Sequence, residues 1–200
     1  MRITPYVQRV NYKPFPADHR NVVRTVVDLL QTNPIVVLSG KLQPFVQNRQ
    51  IGKSLSCREI LNQIAARGKT SYYLDLKHIL KYQSGSGYLH IDDFEFTVVD
   101  NLSKMDAYIL DEIHHAFPRD ASARGKMDAN GKPVYRGEEY NRVMFKFWEK
   151  VKQRVAEGAK FIFVTALHPG DAEYTDFLMN DNMLPFFNAP VVELRSDFDR

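Results

Sequence analysis

One cysteine, Cys57, stands in 200 residues, so no disulfide can form within the chain and the fold must rest on a buried apolar core. Long hydrophobic runs are missing too. None approaches the roughly 20 apolar residues needed to span a bilayer, and Met1 to Val10 lack the apolar stretch of a secretory signal. These absences lead to the expectation of a cytoplasmic protein that does not insert into a membrane by itself. Charge of one sign is also scarce. A formal net charge of +3 is too small to mark a nucleic-acid binder on its own. No internal repeat or low-complexity tract is present.

What the chain does have is 44% hydrophobic residues, enough to bury one core but too few residues for two ordinary domains. The expected organisation is an N-terminal arm over residues 1–16 and a single domain over 17–200. Charge is unevenly spread: the first 24 residues and residues 117–160 are basic, and residues 161–200 are acidic. Solvated helix faces and loops account for such segments, while a surface for phosphate backbone or an acidic partner is the sharper reading.

Hydrophobic spacing orders the elements. From Ala17, the apolar positions Val22, Val23, Val26, Leu29 and Leu30 predict a helix that Asn33-Pro34 stops. Ile35 to Gly40 is short and β-branched, as a strand buried on both faces of a parallel sheet should be. After Lys53, the positions Leu55, Ile60, Leu61 and Ile64 predict a helix ended by Gly68. Ser71–Leu76 reads as a second strand, and Asp92 as the cap of a helix carrying Phe94, Val98 and Leu102. Ala107–Leu110, Phe161–Thr165 and Val191–Leu194 complete five strands, with a long helix from Tyr140 to near Gly158 before the fourth. Residues 118–136 hold glycines and prolines among charges, which predicts a mobile loop. Alternating strands and helices predict an α/β sandwich with a mostly parallel sheet and its ligand at the carboxyl ends of the strands. Gly40, Asp111 and Thr165 fall at such ends.

Two motifs carry chemistry. Ile51-Gly52-Lys53-Ser54 places an amine and a small hydroxyl after a glycine at the start of a helix, which suits a phosphate chain and its magnesium. Tyr108-Ile109-Leu110-Asp111-Glu112 ends an apolar strand in two carboxylates. On this reading Lys53 bridges the outer phosphates of ATP, Ser54 offers its hydroxyl to Mg2+, and Asp111 holds the metal through water. Glu112 orients the attacking water. Thr165 contacts that water or the phosphate. Were strand conformation to persist, Asp111 and Glu112 would point in different directions and take these separate tasks.

Arg49-Gln50-Ile51-Gly52-Lys53-Ser54-Leu55 resembles the Walker A loop of AAA-type bacterial and archaeal ATPases with the pattern G-x-R-Q-x-G-K-[ST]. Tyr72 to Leu76 resembles the second strand of that family, and Ile109 to Ile113 its Walker B strand. The resemblance implies a three-layer α/β/α P-loop NTPase core with sheet order 5-1-4-3-2 and magnesium-dependent ATP hydrolysis. It implies that Gly40 and Arg49 to Leu55 surround the nucleotide and that the protein works as a homo-oligomer or in a larger assembly, on DNA or RNA. The pattern departs at Gln47, which stands where its first glycine belongs; the nearest upstream candidate is Gly40. Either Lys41 to Asn48 bulge out as an insertion or the phosphate cradle is reshaped.

Asp111 to His115 with Val164-Thr165-Ala166 is also similar to helicase superfamily 2 motifs, although that family has two motor domains. Asp111 to Arg119 resembles the Walker B region of zonular-occludens-toxin-like filamentous-phage assembly ATPases, which carry a membrane segment. Phage assembly or viral DNA packaging is therefore an alternative, as is a degenerate nucleotide-binding module without turnover. His114 and His115 diverge on extended chain and make a poor metal pair. Arg119, Arg124 and Arg195 are candidates for an arginine finger in an oligomer, against the default of surface arginines. Tyr6, Tyr12 and Phe15 alternate with Arg2, Arg9 and Lys13, as a nucleic-acid arm or as one packed on its own domain.

Overall fold

Five short strands, apolar through most of their length and polar at their carboxyl ends, set the architecture. The computed structural model describes residues 17–40, 52–76, 94–113, 138–166 and 189–194. In chain order these form α1 (Ala17–Thr32), β1 (Ile35–Ser39), α2 (Lys53–Ala66), β2 (Ser71–Asp75), a π helix (Glu95–Val99), β3 (Ala107–Asp111), α3 (Glu138–Ala156), β4 (Lys160–Thr165) and β5 (Val191–Glu193). The strands lie in the order β2-β3-β4-β1-β5, and every pairing is parallel. This is the expected order 5-1-4-3-2 read from the other edge.

Strand side chains alternate between two cores, which is why the strands read as unbroken apolar runs. Ile35, Val37, Tyr108, Leu110, Phe161 and Phe163 face one layer with Phe147, Trp148 and Val151 of α3 and with Phe94, Val98 and Val99. Val36, Leu38, Ile109, Ile162 and Val164 face the other, with Val23, Val26 and Leu30 of α1 and Cys57, Ile60 and Ile64 of α2. Helices thus cover both faces of the sheet. Tyr108 and Phe161 stack at 4.5 Å, and Trp148 meets Phe163 edge-on at 6.0 Å; each such pair adds about 1 kcal/mol to its area burial.

The stop signals act where the sequence put them. α1 ends as Asn33 caps Leu29 O through both its backbone amide (2.8 Å) and its side-chain amide (3.0 Å), and Pro34 cannot continue the helix. α2 ends at Arg67-Gly68, with Gly68 at φ +70° and its amide on Ala65 O. One element differs. The segment expected to be an α-helix through Phe94, Val98 and Leu102 is a π helix, in which Asp100 N donates to Glu95 O. Phe94, Val98, Val99 and Leu102 are all buried along this segment, and the wider turn with its i+5 hydrogen bond is what separates it from the expected α-helix. Asp92, the arm over 1–16 and the loop near 118–136 lie outside the described residues.

Candidate functional site at the carboxyl edge of the sheet

Parallel pairing brings the polar ends of the strands level. Ser39 is opposite Thr165, and Asp75 is opposite Asp111. All but Asp75 are fully buried. Gly40 lies beside them, and its amide donates to Thr165 O at 3.1 Å. Thr165 sits between the chain ends of β1 and β3, as expected from the strand order.

The first turn of α2 closes over this edge. Gly52 precedes it at φ +81°, and the ring of His19 occupies the space a Cβ would fill, 2.0 Å from His19 Cε1. Only glycine meets both conditions. The turn contains no acidic side chain of its own and has no side-chain cap, so the negative charge that reaches this positive helix end comes from β3 and the residue after it. His19 Nδ1 also lies 3.4 Å from Ser56 Oγ.

Lys53 and Ser54, the first residues of α2, reach the end of β3. Ser54 Oγ donates to Asp111 Oδ2 at 3.1 Å, and Tyr73 OH of β2 donates to the same oxygen at 2.8 Å. Asp111 Oδ1 is buried with no hydrogen-bond partner among the described residues. Burial pushes the Asp111 carboxyl above its ordinary range, with the hydrogen bond from Tyr73 acting in the opposite direction and the charges of Glu112 and Asp75 adding to the rise. Tyr73 is raised still more strongly, by burial and then by the Asp111 charge, so its hydroxyl serves as a donor. The thiol of Cys57 beneath them is likewise pushed up, chiefly by burial.

Lys53 Nζ lies 3.2 Å from Glu112 Oε1, with the lysine only 6% exposed. No hydrogen bond from Nζ forms to an acceptor among the described residues, so within them the contact with Glu112 is an ion pair. Glu112 is in the left-handed region at φ +56°. The chain therefore leaves the strand directly after Asp111, and a backbone turn, in place of strand alternation, sends the two carboxylates to different partners. Such a conformation is costly for a side-chain-bearing residue and is concentrated at functional sites.

Lys53, Ser54, Asp111 and Glu112 thus converge, with Gly52 beside them and Thr165 on the same edge. Leu55 is half-buried in α2. Arg49, Gln50, Ile51, His114, His115, Arg119, Arg124 and Arg195 lie outside the described residues. No group of three histidine, cysteine or acidic side chains able to hold a metal occurs among the described residues. The donors present fit a cation that keeps most of its ligands from water and phosphate, as magnesium does: a hydroxyl, and a buried carboxylate with one bare oxygen. Sequence reasoning missed Tyr73 and His19. Tyr73 was visible only as a strand residue, and nothing in the sequence joins His19 to Gly52.

No family model matches the sequence, and no curated protein matches it. Among solved structures, the chain is similar to a Walker-type ATPase of Pyrococcus abyssi, at 12% identity and a TM-score of 0.55, over 96% of this chain and 56% of that one. It is similar to AMPPCP-bound DnaA from Aquifex aeolicus, at 17% identity and a TM-score of 0.51, over 94% of this chain and 49% of that one. A DNA replication initiation factor gives the same TM-score at 14% identity, over 94% and 49% of the two chains. The likeness is one of fold: helices on both faces of a five-stranded parallel sheet. The chain spans about half the length of these structures. No described helix is long and apolar enough to cross a membrane.

Proposed function

We propose that the chain is a P-loop ATPase domain that binds ATP with magnesium and hydrolyses its terminal phosphate to drive work on a macromolecule. The observation that carries this reading is the convergence of Lys53, Ser54, Asp111 and Glu112, from two elements far apart in sequence, at the positive end of α2.

Each residue has a role its geometry allows. Lys53 would exchange Glu112 for the outer phosphates, which an ammonium holds by charge-assisted hydrogen bonds. The amides at the start of α2 would cradle the phosphate chain, with Arg49, Gln50, Ile51, Gly40 and Leu55 around it. Magnesium, when bound, would offset the charge of the phosphates. Ser54 would supply one ligand to it, and Asp111 would hold it through water. Glu112, released from Lys53, would orient the attacking water, and Thr165 would contact that water or the phosphate. Nucleic acid is the proposed load, with a homo-oligomer or larger assembly as the working form, in the cytoplasm.

Steady-state turnover with ATP tests the reading. Lys53→Ala and Glu112→Gln should each lower kcat by about 100-fold or more, and Glu112→Gln should still bind nucleotide. Absence of both ATP binding and turnover in the wild type, with or without DNA, ends the proposal. The long interval from Gly40 to Gly52 favours a second reading, a module that binds nucleotide without hydrolysis; binding with no turnover would select it. Stimulation by double-stranded DNA would point to phage assembly or DNA packaging.

A further inference from the structure

We infer that Tyr73 is a positioning residue of the nucleotide site: its hydroxyl fixes the Asp111 carboxylate so that the bare oxygen stays turned to the metal position. This rests on the reading of Ser54 and Asp111 as the magnesium-holding pair.

Two donors share one oxygen of Asp111. Tyr73 OH is at 2.8 Å and Ser54 Oγ at 3.1 Å, both on Oδ2, and Oδ1 has no partner among the described residues. Turning the plane of the carboxylate away would break both bonds and strip the second buried oxygen of its donors as well, so Tyr73 and Ser54 together hold the plane in which the other oxygen faces outward. They differ in what else they do. Ser54 opens α2, directly after the glycine of the phosphate loop, and its hydroxyl has a second task as a metal ligand. Tyr73 stands in the sheet, opposite Ile109 in the β2–β3 register, and packs in the core with α2. Its hydroxyl reaches Asp111 from rigid structure that nucleotide need not move. A carboxylate that must accept a hydrated cation gains most from a donor of this kind, since orientation is set before the metal arrives.

The alternative is that Tyr73 only satisfies a buried carboxylate. The two differ in where removal of the hydroxyl is felt. Lys53 and the helix amides can hold nucleotide without metal, whereas the hydrogen bond of Tyr73 goes to Asp111. Tyr73→Phe keeps the ring and its packing, and thermal melting checks that it stays folded.

The experiment measures ATP binding by titration calorimetry in EDTA and at rising MgCl2, for the wild type, Tyr73→Phe, Asp111→Asn and the pair. Expected for Tyr73→Phe is unchanged affinity in EDTA and a Mg2+ midpoint raised about three- to tenfold, the scale of one typical net hydrogen bond. In the Asp111→Asn background the same substitution should change nothing further. KM for MgATP should rise more than kcat falls. An unchanged Mg2+ midpoint, or an equal loss of affinity in EDTA and in magnesium, overturns the role of Tyr73 while leaving the site reading intact. A wild type that binds no ATP under either condition overturns both.

Discussion

Gly52→Ala tests the geometry at the mouth of the site through stability alone. A side chain at φ +81° costs about 1–2 kcal/mol for an L-residue in the left-handed region. The added Cβ would also lie 2.0 Å from His19 Cε1 and 2.7 Å from Nδ1, so the imidazole must leave its seat and its contact with Ser56. That displacement adds about 1 kcal/mol, the scale of one hydrogen bond with modest packing. The sum is a loss of about 2–3 kcal/mol, or a fall in Tm of roughly 5–10 °C for a chain of this size. Urea unfolding of Gly52→Ala, His19→Ala and the double variant separates the contributions. In the His19→Ala background the alanine should cost only its backbone share, giving a coupling of about 1 kcal/mol. A Gly52→Ala protein within ~0.5 kcal/mol of the wild type, the spread of ordinary surface changes, would refute the reasoning; zero coupling would refute the clash.

Two further predictions concern charge. Burial raises the Asp111 carboxyl, so its ionised form weakens the folded state at neutral pH, and the penalty grows as pH rises through the folded pKa. Asp111→Asn should therefore raise the Tm of the metal-free protein while abolishing the Mg2+-dependent gain in ATP affinity; a lower Tm in EDTA counts against it. Glu95 is held near pKa 2 by hydrogen bonds from Arg142 and then Lys146, at 2.8–3.0 Å. A depressed carboxylate stabilises above its unfolded pKa and loses that contribution as pH falls through the folded value, here between about 4.5 and 2. The effect is about 1 kcal/mol at most, since both cations are well exposed. Glu95→Gln should flatten this part of the stability profile, and an unchanged slope would show that the π helix is not tied to α3 by this network.

Local chemistry fixed most of the scaffold in advance. The apolar runs at Ile35, Ala107 and Phe161 read as strands buried on both faces, and the periodic positions from Val22 and from Lys53 as half-buried helices, and the fold has them so. Asn33-Pro34 and Gly68 marked ends because their restrictions are properties of single residues. The glycine, lysine and serine at 52–54 and the carboxylates at 111 and 112 were legible because phosphate and magnesium chemistry needs those groups at element ends. Tertiary structure decided the rest. The π turn at Glu95 has no counterpart in the apolar spacing of Phe94, Val98 and Leu102, which reads as an ordinary helix. The separation of Asp111 from Glu112 comes from a left-handed residue that no periodicity announces. Tyr73 meets Asp111, and His19 meets Gly52, only after separate elements pack. Spacing along a chain encodes which face a residue takes, whereas which residue it meets there depends on contacts between distant segments, and those the folded sheet alone supplies.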